Sequence, residues 1–235
     1  MTPKDKVGVF AFGFISLTTF GLGSWQVKRY SWKVDMVEQR KRMLVTPPVP
    51  VDAARGEIYE RVKCLGDFEP EKSMTISPRS SPLAAVSSAP SPSGFYLLTP
   101  FKDQLSNRRF LVVRGWLPRS QEPFYRKGFG EIHDKNVELE GFIAPDETAG
   151  LFTPDNNANT GNYFYMDAKV MNEANDIGAD QLIVEQLGGF KEGPVTKTTD
   201  SLMTFKVHPA THVGYAATWY GLSAAGLYMI KRRFF

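Results

Sequence analysis

The sequence has one cysteine, Cys64, so an intrachain disulfide and a thiolate metal cluster are both excluded. Histidine is nearly as scarce: His133, His208 and His212 are the only three, leaving a catalytic triad few candidates for its base. There is no glycine-rich phosphate loop, no paired-cysteine spacing, no HExxH and no GxSxG elbow. These absences weigh against an enzyme. A basic stripe is missing too. The formal charge of +3 belongs to the ends, where Lys4, Asp5 and Lys6 contribute +1 and Lys231, Arg232 and Arg233 contribute +3, so the stretch between them is slightly acidic and unsuited to nucleic acid.

Charge itself is absent from two runs. Val7 to Val27 carries none over 21 residues, enough for a helix through a ~30 Å hydrocarbon layer, and His212 to Ile230 is a second such run of 19. A cleaved secretory signal predicts a shorter apolar core and a small-residue cleavage site. This first run instead ends in "SWQVKRYSWK", which favours a retained anchor. No Arg- and Ser-rich transit segment precedes it, so the sequence displays no organelle address. Two spans put both termini on one side, and the terminal "KRR" marks that side as the positive-inside compartment.

Between the runs the pattern is that of strands. "IYERVKCLGDF", "KSMTIS", "GFYLLTPF", "RRFLVVRGWLP", "VELEGFIA", "NYFYMD", "QLIVEQ" and "SLMTFKV" are short, β-branched or aromatic, and separated by Gly, Pro, Asn or Asp, as in a barrel or sandwich. Cys64 alternates within the first of them and reads as a small buried hydrophobe. "DAKVMNEANDIGAD" reads as a helix capped by Asp167. "YSWKVDMVEQRKRML" has helical spacing that continues the anchor until "TPPVP" stops it. "SPRSSPLAAVSSAPSPSG" and "PDETAGLFTPDNNANTG" read as long loops, the second pinned by Leu151 and Phe152.

The last run carries the candidate site. His208 and His212 are four apart, the spacing for a shared helix face, but Pro209 suits a first helical turn and leaves His208 outside it. His212 alone is a candidate axial ligand for haem iron; the competing reading is an interfacial histidine bonded to water or headgroups. At about 100° per residue, His212, Tyr215, Trp219, Ser223 and Gly226 gather on one side, and Gly214, Ala217, Gly221 and Ala225 on the other. The second set is a small-residue ridge suited to close helix packing in lipid, with the first span as its candidate partner. The His/Tyr/Trp face is then free for a protein or a flat cofactor, although an interfacial aromatic belt explains Tyr215 and Trp219 without either.

In order, "LGSWQVKRYSWK", "GFYLLTPF" with "LVVRGWLP", "FTPDNNANTGNYFYMD" and "HVGYAATWYGLSAA" resemble the motifs of the Surfeit-locus-protein-one (Surf/Shy) family of cytochrome c oxidase biogenesis proteins, over nearly the whole chain. The resemblance implies a mitochondrial inner-membrane protein of the respiratory chain that assists assembly of the haem a-bearing core subunit of complex IV as a chaperone, with no catalysis. Its termini then lie in the matrix and its main domain in the intermembrane space. The family's proposed haem contact falls on His212, implying transient haem a and no firmly bound cofactor or metal. Tyr215, Trp219, Ala217, Gly221 and Ala225 are the accompanying partner or packing residues. Partners are the core subunit, other complex IV subunits or assembly factors, and the bilayer. Ala210 and Val113 stand where the family commonly has Asn, and Tyr163 where Trp is frequent. The alternative is a permanent accessory subunit of the mature oxidase or a supercomplex.

The expected architecture is a membrane-anchored α+β protein: two transmembrane helices flanking a β-rich, barrel- or sandwich-like extramembrane domain with one or two helices. The expected boundaries are a tail at 1–6, transmembrane helix 1 at 7–27, a juxtamembrane helix at 28–46, the β-rich domain at 47–211, transmembrane helix 2 at 212–230, and a tail at 231–235.

Overall fold

The computed structural model describes residues 2–82, 93–125, 135–177, 182–188, 193–203 and 209–235. In chain order the elements are α1 (Pro3–Val45), β1 (Val49–Pro50), β2 (Arg61–Phe68), β3 (Met74–Ser80), β4 (Ser93–Asp103), β5 (Arg109–Pro118), α2 (Glu122–Tyr125), β6 (Val137–Ile143), α3 (Ala168–Glu173), β7 (Ile183–Gln186), α4 (Thr199–Met203) and α5 (Pro209–Phe234). They divide into two units, one from 1–39 with 205–235 and one from 40–204.

In the larger unit, strand pairing runs β2, β6, β7, β5, β4 and returns to β2, closing a five-stranded barrel. Closure depends on β2 dividing one edge, with Val62 and Lys63 pairing to β1 and Gly66 to Phe68 pairing to β4. No barrel strand is then left with a long unpaired edge. Alternation along β2 points Val62, Cys64 and Phe68 inward, where they meet Phe101, Phe110, Val112, Leu139 and Val184 from the other four strands. β4 and β5 are buried on both faces, because Leu98, Leu111 and Val113 pack outside the barrel against Tyr163 and Met171. Two-sided burial explains why "RFLVVRGWLP" reads as one apolar run rather than an alternating one. At Gly115 the register shifts and φ is +138°. A Cβ there would lie 2.8 Å from the carbonyl oxygen of Val195, whose backbone pairs with Trp116.

Asp167 caps α3 as expected, its Oδ1 accepting from Val170 N at 3.0 Å. Cys64 is buried, and burial pushes its thiol up to about 12, in keeping with a packing role.

Four expectations are corrected. "SLMTFKV" does not open a strand: Thr199–Met203 is helical, because Thr198 Oγ1 accepts from Ser201 N at 3.1 Å while Ser201 Oγ accepts from Thr198 N at 2.9 Å. Its remainder, 204–207, lies outside the described residues. "NYFYMD" contributes only single bridges to Ile76 and Asn157. The Asn156 side chain takes the place of a neighbouring strand, accepting from Phe164 N at 2.8 Å and donating to Tyr165 O at 3.0 Å. Leu151 and Phe152 do not pin their loop; they are 92% and 94% exposed. Of the expected Ser/Pro-rich loop at 77–94, residues 77–80 instead complete β3 and 93–94 open β4, because both pair in the β3–β4 ladder; 83–92, His133 and His208 lie outside the described residues.

In the smaller unit α1 and α5 pack together. α1 runs without interruption through the expected junction at 27/28 and is long and apolar enough to cross a membrane.

Candidate functional site

Hydrogen bonds decide which face of α5 meets α1. From one end to the other they join His212 Nδ1 to Gln26 Oε1 at 2.8 Å, Tyr220 OH to Ser24 Oγ at 3.2 Å, and Ser223 Oγ to the Ser16 carbonyl at 2.8 Å. Ser16, Thr19, Gln26 and Ser223 are buried, while Phe10, Phe14, Leu17, Leu222 and Leu227 are exposed. The pair is polar within and apolar without. Its close approaches are at Gly226, where a Cβ would lie 2.2 Å from Ser16 Oγ, at Gly8, where it would lie 2.5 Å from the Phe234 ring, and at Gly23, where it would lie 2.8 Å from the Tyr220 ring.

This rotation corrects the expected packing. Gly214, Ala217, Gly221 and Ala225 all face away from α1, and a Cβ at Gly214 or Gly221 would meet nothing within 4 Å. The small-residue ridge loses to the opposite face because that face carries the polar groups needing partners. Ala216, Ser223 and Gly226 on it are buried. His212 and Trp219 are half-buried on the packing side, and Tyr215 is exposed at its margin.

α5 starts at Pro209, so His212 lies in its first turn. Gln26 fixes the imidazole. With Nδ1 donating to the amide oxygen, Nε2 retains its lone pair and can accept a proton or bind a metal. Among the described residues no group of three His, Cys, Asp or Glu side chains could hold a metal ion, so His212 could act only as a single ligand.

The barrel unit holds a second polar centre that sequence reasoning missed. A cavity of about 230 Å³ is lined by Arg40, Tyr59, Phe142, Glu185, Lys197 and Leu202. Glu185 projects from β7, where all four residues are buried, and Lys197 Nζ sits 2.9 and 3.0 Å from its two oxygens. Burial pushes the Glu185 carboxyl above its ordinary value against the pull of Lys197. Burial acts downward on the Lys197 ammonium, but Glu185 together with Tyr96 and Tyr59 outweighs it and holds the group above its ordinary value. Lys197 and Arg79 both lie over the Tyr96 ring, 5.5 and 5.4 Å from its centroid. Arg79 forks onto Glu147, whose Oε2 also accepts from Met166 N at 2.8 Å. Burial pushes Glu147 upward, yet these contacts hold its carboxyl below the ordinary range. The only trace in the sequence was one carboxylate inside the apolar run "QLIVEQL".

Comparison with known proteins covers both units. A model described as the SURF1 family matches residues 13–224. The human protein named Surfeit locus protein 1 is 31% identical over 235 aligned residues, spanning 94% of this chain and 75% of that protein. The protein of that name from Arabidopsis thaliana is 29% identical, spanning 92% of this chain and 74% of its own length. The one from Takifugu rubripes is 29% identical and spans 94% of both.

Proposed function

Because the chain belongs to the SURF1 family, we propose that it assists assembly of cytochrome c oxidase, holding the haem a-bearing core subunit in the mitochondrial inner membrane. In this reading α1 and α5 both span the bilayer, the termini lie in the matrix and the barrel lies in the intermembrane space. Support for the placement comes from the helix pair itself. Its apolar exterior and internally bonded hydroxyl and amide groups are what a hydrocarbon solvent demands. The role is one of holding and positioning, without covalent chemistry.

The observation that carries the site is the bond from His212 to Gln26. It orients the imidazole with Nε2 available, and Trp219 and Tyr215 supply aromatic surface beside it on α5. One imidazole would suit a transient hold on haem a during transfer better than a permanent site with two protein ligands. A bound haem would supply the iron, His212 would supply the nitrogen that holds it, and Gln26 would keep the imidazole in one tautomer. The outward ridge of Ala217, Gly221 and Ala225 is open to a partner helix.

The test is haem titration of the purified full-length protein, followed by absorption. His212→Ala is expected to abolish the spectral change with expression and membrane insertion intact. Gln26→Leu is expected to weaken it roughly tenfold, the low end for loss of an orienting partner. A His212→Ala protein that binds haem like wild type removes the residue from the site. The second reading, a permanent accessory subunit without a cofactor, is favoured by Ala210 and Val113, apolar where the resemblance leads one to expect Asn. One copy of this chain per purified, active oxidase would establish that reading instead.

A further inference from the structure

The most exposed large apolar side chains among the described residues are adjacent, and neither belongs to the helix pair. Leu151 and Phe152 occupy the two central positions of a tight turn in the barrel unit. Thr153 N donates to the Gly150 carbonyl at 3.0 Å, and Gly150 N donates to Thr153 Oγ1 at 3.1 Å, so the turn is closed twice. The segments on either side are tied to the fold. Before the turn, Asp146 Oδ1 accepts from Ala168 N at 3.0 Å and Glu147 is held by Arg79 and by Met166 N. After it, Asn156 grips the backbone of Phe164 and Tyr165. Isolated apolar residues on a surface need no explanation. A Leu-Phe pair at the apex of a doubly closed turn on stapled supports is a pre-organised knob, ordered before any partner arrives.

We propose that the Leu151–Phe152 turn is a docking knob that inserts into an apolar, cation-rimmed socket on an oxidase subunit. The inference rests on the assembly reading above. Charge selects a protein over a lipid surface as the occupant. From Asp146 to Asp167 the chain carries Asp146, Glu147, Asp155 and Asp167 and no lysine or arginine. Apolar tips that enter membranes are flanked by basic side chains that meet anionic headgroups, whereas this flank is repelled by them. A socket ringed with lysine or arginine complements Asp155, which is exposed beside the knob, and buries the two apolar side chains as anchors.

The test uses the full-length chain in its membrane, with a photo-crosslinking phenylalanine analogue at position 152 and, as control, at Leu105, another exposed apolar residue. Crosslinking from 152 but not 105 to an oxidase subunit is expected. The Leu151→Ser/Phe152→Ser variant is expected to unfold at the wild-type temperature, since it removes no internal contact, while retaining at least tenfold less oxidase subunit on purification. Asp155→Lys is expected to weaken retention in a salt-dependent way. Equal retention by wild type and the double serine variant overturns the knob and leaves the assembly reading standing. A lipid adduct, or an adduct to a second copy of this chain, overturns the assignment of the occupant. Wild-type protein that retains no oxidase subunit refutes the assembly reading, and this inference falls with it.

Discussion

The two units solve the same problem with opposite polarity. The barrel hides Val62, Phe101, Phe110 and Val112 and exposes Lys63 and Glu138. The helix pair hides Ser16, Gln26 and Ser223 and exposes Phe10, Phe14 and Leu17. Water rewards the first arrangement, because apolar burial is its driving force. Hydrocarbon offers apolar groups nothing to gain by hiding and polar groups no partner, so it rewards the second. The contrast underlies the proposed membrane placement. Each unit has an informative exception: the barrel buries the Glu185 carboxylate against a half-buried Lys197, and the helix pair leaves His212 half in view.

The sharpest way to break the contrast is to give the barrel an unpaired charge. Lys197→Met strands Glu185 and is expected to destabilise the barrel by about 3–5 kcal/mol, read from its urea unfolding transition, whereas Glu185→Leu/Lys197→Met is expected to lie close to wild type. Equal losses in both variants would mean the pair matters for packing rather than charge. Next comes the helix pair. Gly226→Leu drives a side chain into Ser16 and is expected to cost about 1–3 kcal/mol of helix association, measured by denaturing-detergent titration. Gly221→Leu, with open space around it, is expected to stay within about 0.5 kcal/mol. Should Gly221→Leu nonetheless impair oxidase assembly, the outward ridge is a partner surface.

Smaller effects sharpen the barrel's outer loop. Asn156→Ala removes the side chain that stands in for a strand beside Phe164 and Tyr165 and is expected to cost about 1–2 kcal/mol in the same urea assay. The weakest is a pH effect at Glu147. Its carboxyl is held below the ordinary range in the folded protein, so the stability it contributes is complete above that range and is lost as pH falls through the folded value. Glu147→Gln is therefore expected to flatten the acid limb of the stability profile and leave the neutral-to-alkaline limb unchanged in shape.

What the sequence reveals follows the range of the forces involved. Strand alternation and uncharged runs are local, and β2, β4, β5, β6 and α1 can be read directly from them. Side chains that replace backbone partners mislead: Thr198 with Ser201 turns a strand-like run helical, and Asn156 satisfies a segment that composition assigns to the sheet. The rotation of α5 is hidden for another reason. Helical spacing gives two faces, one small and one polar-aromatic, but only the positions of Ser16, Ser24 and Gln26 on α1 select between them. Glu185 and Lys197 meet only once β7 is seated in the closed barrel, and neither announces the other.

The central proposal, that this chain serves oxidase assembly through His212, is tested most directly in membranes from which the chain has been deleted, by measuring haem a per copy of the oxidase core subunit. The account predicts a low ratio that wild-type protein restores and His212→Ala, although inserted and folded, does not. A normal ratio in the deletion, or full restoration by His212→Ala, would contradict it.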